Sequence, residues 1–136
     1  RDARTPRSLP RGTETILLAE DEEAVRNLLR TVLSKQGYQV IEAQNGREAL
    51  ALIEGIEATI PLLVTDVVMP EMGGGELAQE LTKLNPEVRV IYLSGHMEDA
   101  SLVEDLDQHT RCYLHKPVPA TVLLEKVREM LDATEG

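Results

Sequence analysis

The stretch LLVTDVVMP, residues 62–70, decides how the whole chain is interpreted. Its first residues form an apolar run that is typical of a strand buried on both faces of a sheet. The run ends at Asp66, and Pro70 followed by three glycines predicts a turn shortly afterwards. Because parallel α/β sheets bind ligands at the carboxyl ends of their strands, Asp66 is predicted to be a functional acid.

Strands and helices are predicted to alternate along the sequence. Apolar runs predict four further strands, at residues 15–19, 38–43, 88–93 and 111–114. Apolar residues at helical spacing predict a helix after each of the five strands, the fourth of them around residues 100–106. Gly37 is expected to end the first helix, and Asn45-Gly46 is expected to form a turn. This alternation predicts a doubly wound α/β fold, a five-stranded parallel sheet with helices on both faces.

Length and composition indicate one aliphatic domain. The chain has 136 residues, enough for a single core, and it contains three Tyr but no Phe or Trp. No apolar run approaches the length of about 18 residues that a membrane span needs, so no membrane contact by this domain is expected. Cys112 is the only cysteine, so an internal disulfide is impossible, which favours a reducing, cytoplasmic location.

The net charge of −10 is unevenly distributed. Residues 1–12 carry four arginines and one aspartate, a net charge of +3, which leaves −13 for the remainder. An acidic globular part argues against direct nucleic-acid binding, since phosphate contacts need clustered Lys and Arg, but it permits a divalent cation. The basic, proline-containing start predicts a linker over residues 1–13 and a domain over residues 14–136.

Polar residues follow four of the predicted strands. The first strand leads into Glu20 and Asp21, the third into Asp66, the fourth into Ser94 and the fifth into Lys116. Strand exits of a parallel sheet share one edge, so three carboxylates are expected to meet there and to repel one another unless a cation lies among them. Such oxygen ligands suit Mg²⁺. With a lysine and a hydroxyl nearby, the set predicts phosphoryl transfer to a carboxylate, with Asp66 as the nucleophile.

Four short motifs in this order carry a family resemblance. They are LLAEDE at residues 17–22, TDVVMP at 65–70, LSG at 93–95 and HKP at 115–117. From about residue 14 to residue 133, the chain resembles the receiver domains of two-component response regulators. The resemblance implies a flavodoxin-like (βα)5 fold and a phosphoacceptor module that catalyses its own phosphorylation and dephosphorylation.

The resemblance also implies a role for each acid. Asp66 would accept a phosphoryl group from the phosphohistidine of a partner, either a histidine kinase or a histidine phosphotransfer domain. Asp21, Asp66 and the backbone carbonyl of Val68 would ligate Mg²⁺. Glu20, at a position where the family more often has Asp, would assist through water.

Two further residues would transmit the signal. Ser94 would donate a hydrogen bond to the phosphoryl group, and Lys116 would pair with it; the resemblance further implies a cis Lys116–Pro117 bond. Tyr113 matches an aromatic switch that responds when Ser94 moves. The surface formed by the fourth predicted helix, the fifth strand and the fifth helix would then change its packing. Partners would bind or release that surface, and one such partner could be a second copy in a phosphorylation-dependent dimer.

Other interpretations remain open at this point. A degenerate receiver would act purely as a protein-binding module. A Mg²⁺-dependent phosphatase with an aspartyl nucleophile would need a second acid two residues after Asp66, where this chain has Val68. The start of the chain resembles receivers that follow the ATP-binding domain of a hybrid sensor histidine kinase, which is favoured over a stand-alone regulator. The parent chain would then be a histidine kinase, whether or not it is anchored in a membrane.

Overall fold

The computed structural model describes residues 9–56, 59–96 and 110–132. Within these residues, five strands form one parallel sheet: β1 (Thr15–Ala19), β2 (Gln39–Ala43), β3 (Leu62–Asp66), β4 (Arg89–Ser94) and β5 (Arg111–His115). Four helices accompany them: α1 (Glu23–Lys35), α2 (Gly46–Glu54), α3 (Gly74–Leu84) and α4 (Ala120–Asp132). The helix predicted around residues 100–106 lies outside the described residues, so α4 is the fifth predicted helix. None of the described helices is both long and apolar enough to span a membrane.

Helices cover both faces of the sheet, as predicted. Along β1, Ile16 and Leu18 belong to the apolar cluster that includes α1 and α4, whereas Leu17 and Ala19 belong to the cluster that includes α2 and α3. This alternation follows from the two-residue period of a strand. All five residues of β3 are buried, which confirms that the central strand is covered on both faces.

The strand order places the end of β3 at the centre of the sheet edge. The order is β2-β1-β3-β4-β5, so the chain changes direction across the sheet between β1 and β3. Ala19 of β1 pairs with Thr65, and Asp66 pairs with Leu93 of β4. A doubly wound sheet binds its ligands in the crevice at this reversal of strand order.

The end of α1 confirms the predicted cap at Gly37. Its φ of 102° lies in the left-handed region that favours glycine. The Gly37 N–H donates to the Ser34 carbonyl at 3.0 Å, and the Tyr38 N–H donates to the Leu33 carbonyl at 3.3 Å. These two bonds satisfy the last carbonyls of the helix in the Schellman arrangement.

Asn45 caps α2 and Gly46 is its first residue, so the prediction of a turn at Asn45-Gly46 was wrong. The Asn45 side chain accepts a hydrogen bond from the Glu48 N–H at 2.8 Å, and the Glu48 carboxylate accepts one from the Gln44 N–H at 2.6 Å. This reciprocal pair resembles a capping box and satisfies donors at the start of α2. Asn45 and Gly46, two residue types that are common in turns, therefore form the start of a helix here.

The leading segment, residues 9–12, contacts α4 and the end of α1. Arg128 of α4 donates to the Arg11 carbonyl at 3.0 Å and to the Glu14 carboxylate at 2.7 Å. The Gly12 N–H donates to the Gln36 carbonyl at 3.0 Å. These residues were predicted to be part of a linker, and the boundary of the domain at residue 14 stays a prediction.

Candidate functional site

Three carboxylates from two neighbouring strand ends converge at the central edge of the sheet. Glu20, Asp21 and Asp66 each bring an oxygen within 4.8 Å of the others. Glu20 is fully buried and Asp66 is 4% exposed, whereas Asp21 is open to solvent. The structure therefore brings together the three acids that the strand pattern had placed at one edge.

Lys116 lies between two of these acids. Its Nζ is 2.8 Å from Asp66 Oδ1 and 3.2 Å from Glu20 Oε1. Its backbone N–H donates to the Ser94 carbonyl at 2.7 Å, which ties the end of β5 to the end of β4. The following Lys116–Pro117 bond is cis, as the family resemblance implied. One ammonium group thus serves two buried carboxylates.

The charges of the site favour the binding of another cation, because the described residues place one ammonium group, that of Lys116, at a cluster of three carboxyl groups. The pKa of Asp66 is raised to about 8, chiefly because the carboxyl is buried and also because Glu20 hydrogen-bonds to it and repels its charged form. Burial acts to lower the pKa of Lys116, but contacts with Asp66 and Glu20 outweigh burial and leave that pKa raised. A group of carboxylate oxygens with excess negative charge and one solvent-exposed member fits Mg²⁺, which keeps several waters when it binds.

We expect the metal-free domain to lose stability as Asp66 ionises. Its folded pKa of about 8 lies above the ordinary value of 3.8, so the folded state holds a proton that the unfolded chain releases. This contribution to the free energy of unfolding is present at acid pH and is lost as the pH rises toward 8. Asp66→Asn should therefore gain roughly 3 to 4 kcal/mol in stability relative to the wild type as the pH is raised from about 5 to 8, measured by urea unfolding without metal.

The exposed Asp132, on α4, provides the control for this experiment. The stability difference between Asp132→Asn and the wild type should change far less over the same pH range. A constant offset between Asp66→Asn and the wild type would contradict the raised pKa. Mg²⁺ added at the higher pH should raise the unfolding midpoint of the wild type more than that of Asp66→Asn, because a ligand stabilises the state that binds it.

Ser94 and Tyr113 share one acceptor beyond the end of β4. The Ser94 hydroxyl donates to the His96 carbonyl at 2.9 Å and accepts from the His96 N–H at 3.0 Å. The Tyr113 hydroxyl donates to the same carbonyl at 2.9 Å. The two residues predicted to form a switch are therefore joined through a backbone oxygen, a link that no sequence pattern indicated. Their switching role stays a prediction.

The glycine-rich turn packs directly against the strand that carries Asp66. The Val67 N–H donates to the Leu93 carbonyl at 3.0 Å, and the Gly74 N–H donates to the Val67 carbonyl at 2.9 Å. A Cβ at position 74 would overlap the Asp66 carbonyl oxygen. The start of α3 approaches the end of β3 this closely only because residue 74 has no side chain.

Val68 lies beside the site with its side chain 57% exposed. An aspartyl phosphatase would place its second acid at this position, and a valine has no group that could serve as a general acid or base. The proposed contact of the Val68 carbonyl with a metal stays a prediction.

Arg26 is a further contact of the site that sequence analysis did not single out. Its Nη1 donates to the Glu20 carbonyl at 2.8 Å. An arginine in the second turn of an amphipathic helix is usually solvated. Its spacing from Glu20 therefore offered no signal that it turns back toward the acidic loop.

Comparisons with known proteins agree with this geometry. Residues 16–128 match the family described as the response regulator receiver domain. Sensor kinase CckA of Brucella abortus (strain 2308) is 41% identical over 122 residues, which are 89% of this chain but 13% of the kinase. The response regulator receiver protein CpdR of the same strain is 35% identical over 118 residues, 87% of this chain and 97% of that protein.

A solved structure shares the fold. The response regulator TrrA from Thermotoga maritima, in complex with Mg²⁺ and BeF, superimposes with a TM-score of 0.69 at 28% identity, covering 86% of this chain and 98% of that one. The family match extends over most of the sequence, and CpdR is matched over nearly its whole length. The chain belongs to the response regulator receiver domain family.

Proposed function

We propose that Asp66 accepts a phosphoryl group from the phosphohistidine of a histidine kinase or a histidine phosphotransfer domain, in a Mg²⁺-dependent reaction. The observation that supports this proposal most strongly is the placement of the Asp66 carboxylate. It lies 2.8 Å from the Lys116 ammonium and within 4.8 Å of oxygens of Glu20 and Asp21. Phosphoryl transfer needs this combination of an oxygen nucleophile and positive charge to neutralise the transferred group.

The chemistry assigns each group a task. An Asp66 oxygen forms a bond to phosphorus while the bond from phosphorus to the donor imidazole nitrogen breaks, and the imidazole keeps the electron pair. Lys116 is placed to pair with an oxygen of the transferred group. Asp21, Asp66 and the Val68 carbonyl would hold Mg²⁺, with Glu20 assisting through water. When bound, the ion supplies charge neutralisation at the phosphoryl oxygens.

Phosphorylation would be read through Ser94 and Tyr113. The modification adds about −1.5 to −2 charges and three acceptor oxygens. In this proposal, the Ser94 hydroxyl turns from the His96 carbonyl to a phosphoryl oxygen. Of the two hydroxyl groups that donate to that carbonyl, Tyr113 then keeps its hydrogen bond and Ser94 does not. The altered contact would change the surface that includes β5 and α4, and would thereby control partner binding or a phosphorylation-dependent dimer.

The cellular context belongs to the same proposal. The identity of 41% with part of a sensor kinase supports a receiver within a hybrid histidine kinase, although the chain spans 13% of that relative. CpdR, of which the match covers 97%, has the lower identity of 35%. We favour the hybrid context and a cytoplasmic location for the domain.

The decisive experiment is phosphoryl labelling of the purified chain. Incubation with Mg²⁺ and a small acyl phosphate should add about 80 Da, one phosphoryl group, to the wild type in intact-mass analysis. Asp66→Asn should remain unlabelled, because an amide is a poor nucleophile. Asp132→Asn, which removes an exposed carboxylate on α4, should be labelled like the wild type.

The alternatives give different results in the same assay. Equal labelling of Asp66→Asn and the wild type would refute the assignment of Asp66. A wild type that binds Mg²⁺ but is never labelled would favour a degenerate receiver that acts through protein binding. Labelling that persists after the metal is removed with a chelator would refute the Mg²⁺ requirement.

A further inference from the structure

Arg26 connects the acidic loop to the neighbouring strand β2. Its side chain is 13% exposed although it carries a full charge. Its Nη1 donates to the Glu20 carbonyl at 2.8 Å, and its Nε lies 3.7 Å from Glu42 Oε1. A largely covered arginine is held in place by such partners, because an unpaired guanidinium would cost free energy away from water.

The contact with the Glu20 carbonyl fixes the path of the acidic loop. The Glu20 N–H donates to the Ala43 carbonyl at 3.0 Å, so β2 holds the loop at one side. Arg26 holds it at the other, through the oxygen of the peptide that joins Glu20 to Asp21. Since a peptide unit is planar, fixing this oxygen restricts the direction in which the Asp21 side chain leaves the backbone.

The contacts of Glu42 help to separate the charge of Arg26 from its effect on the path of the acidic loop. The Glu42 carboxylate also pairs with Arg30, whose Nε is 3.1 Å from Oε2. Glu42 therefore offsets part of the positive charge of Arg26. The distinctive contribution of Arg26, which Arg30 does not share among the described contacts, is its hydrogen bond to the acidic loop.

We infer that Arg26 is a positioning residue that sets the Mg²⁺ affinity of the site by holding the Glu20–Asp21 peptide. The inference rests on the proposed function for the identity of the cation. Residues that hydrogen-bond to metal-binding groups and hold them in place typically contribute tenfold to a hundredfold in metal affinity. Arg26 would act through the placement of Glu20 and Asp21 and would not touch the phosphoryl group.

The test compares Arg26→Met with Arg30→Met. Both variants keep an apolar stem and remove one cation from Glu42, but only Arg26→Met loses the bond to the Glu20 carbonyl. Calorimetric titration with Mg²⁺ should show binding about tenfold weaker in Arg26→Met and nearly unchanged in Arg30→Met. The labelling rate of Arg26→Met should fall at limiting Mg²⁺ and recover at saturating Mg²⁺, and Arg26→Lys should recover part of the affinity.

Several outcomes would overturn the inference. These are wild-type Mg²⁺ affinity in Arg26→Met, an equal loss in both methionine variants, or a wild type that does not bind Mg²⁺. If Arg26→Met does not fold, Arg26→Lys is compared with Arg30→Lys; affinity about threefold weaker in Arg26→Lys is expected, and equal affinities overturn the inference. A wild type that binds Mg²⁺ without being labelled would refute the proposed function alone, because the titration measures binding.

Discussion

Lys116→Met is expected to lower the free energy of unfolding by roughly 3 kcal/mol in the absence of metal at about pH 9, where Asp66 is ionised. The substitution keeps the apolar stem but leaves the buried carboxylates of Glu20 and Asp66 without their ammonium partner. Removing one member of a buried ion pair is costly because the remaining charge stays away from water. Urea unfolding measures the loss, which should shrink as the pH falls below about 8, because Asp66 is then protonated in the folded state and no longer needs a cation.

Lys126→Met is the matched control for this prediction. Lys126 pairs with Glu129 at 3.1 Å on the outer face of α4, where Glu129 is largely exposed. Exposed pairs within a helix contribute about 0.5 kcal/mol or less, so this variant should remain close to the wild type. If the two variants lose similar free energies of unfolding, the ion pairs of Lys116 stabilise the fold no more than an exposed pair does.

Gly74→Ala is expected to destabilise the domain by about 3 kcal/mol and to weaken labelling of Asp66. The added Cβ would overlap the Asp66 carbonyl oxygen and would approach Thr65 Cγ2 at 3.0 Å. The first obstacle is backbone inside a buried strand, so it has no rotamer through which to move away. Thermal or urea unfolding gives the change in stability, and intact mass after incubation with an acyl phosphate gives the change in labelling.

Gly55→Ala tests whether glycine loss alone explains such an effect. Gly55 follows α2 with a φ of −94°, which other residues adopt readily. A Cβ there would meet no atom of the described residues within 4 Å. Its stability should stay within about 0.5 kcal/mol of the wild type. A Gly74→Ala variant as stable as Gly55→Ala would show that α3 moves away from β3 without cost.

The fold was predictable because its signals are local and periodic. The run that ends at Asp66 is buried throughout β3, and apolar spacing marked α1 to α4. The convergence of Glu20 and Asp66 followed from topology alone, because parallel strands end at the same edge of a sheet. A sequence pattern therefore located the acids of the site without any knowledge of distances.

Contacts between side chains and distant backbone were not predictable in the same way. The bond from Arg26 to the Glu20 carbonyl depends on the path of a loop, which no periodicity records. The shared acceptor of Ser94 and Tyr113 likewise depends on where the His96 carbonyl points. Asparagine is favoured both in turns and as a helix cap, so the identity of Asn45 alone did not distinguish a turn from a helix start.

The contact of Arg128 with the leading segment would matter if the phosphodonor belongs to the same polypeptide, as in the proposed hybrid kinase. It holds residues 9–12 near the start of β1, about 16 Å, one five-residue strand, from the edge that carries Asp66. A phosphodonor attached through preceding residues must therefore reach around the sheet. The effective concentration of Asp66 at such a donor is then set by the length and stiffness of the chain before residue 9.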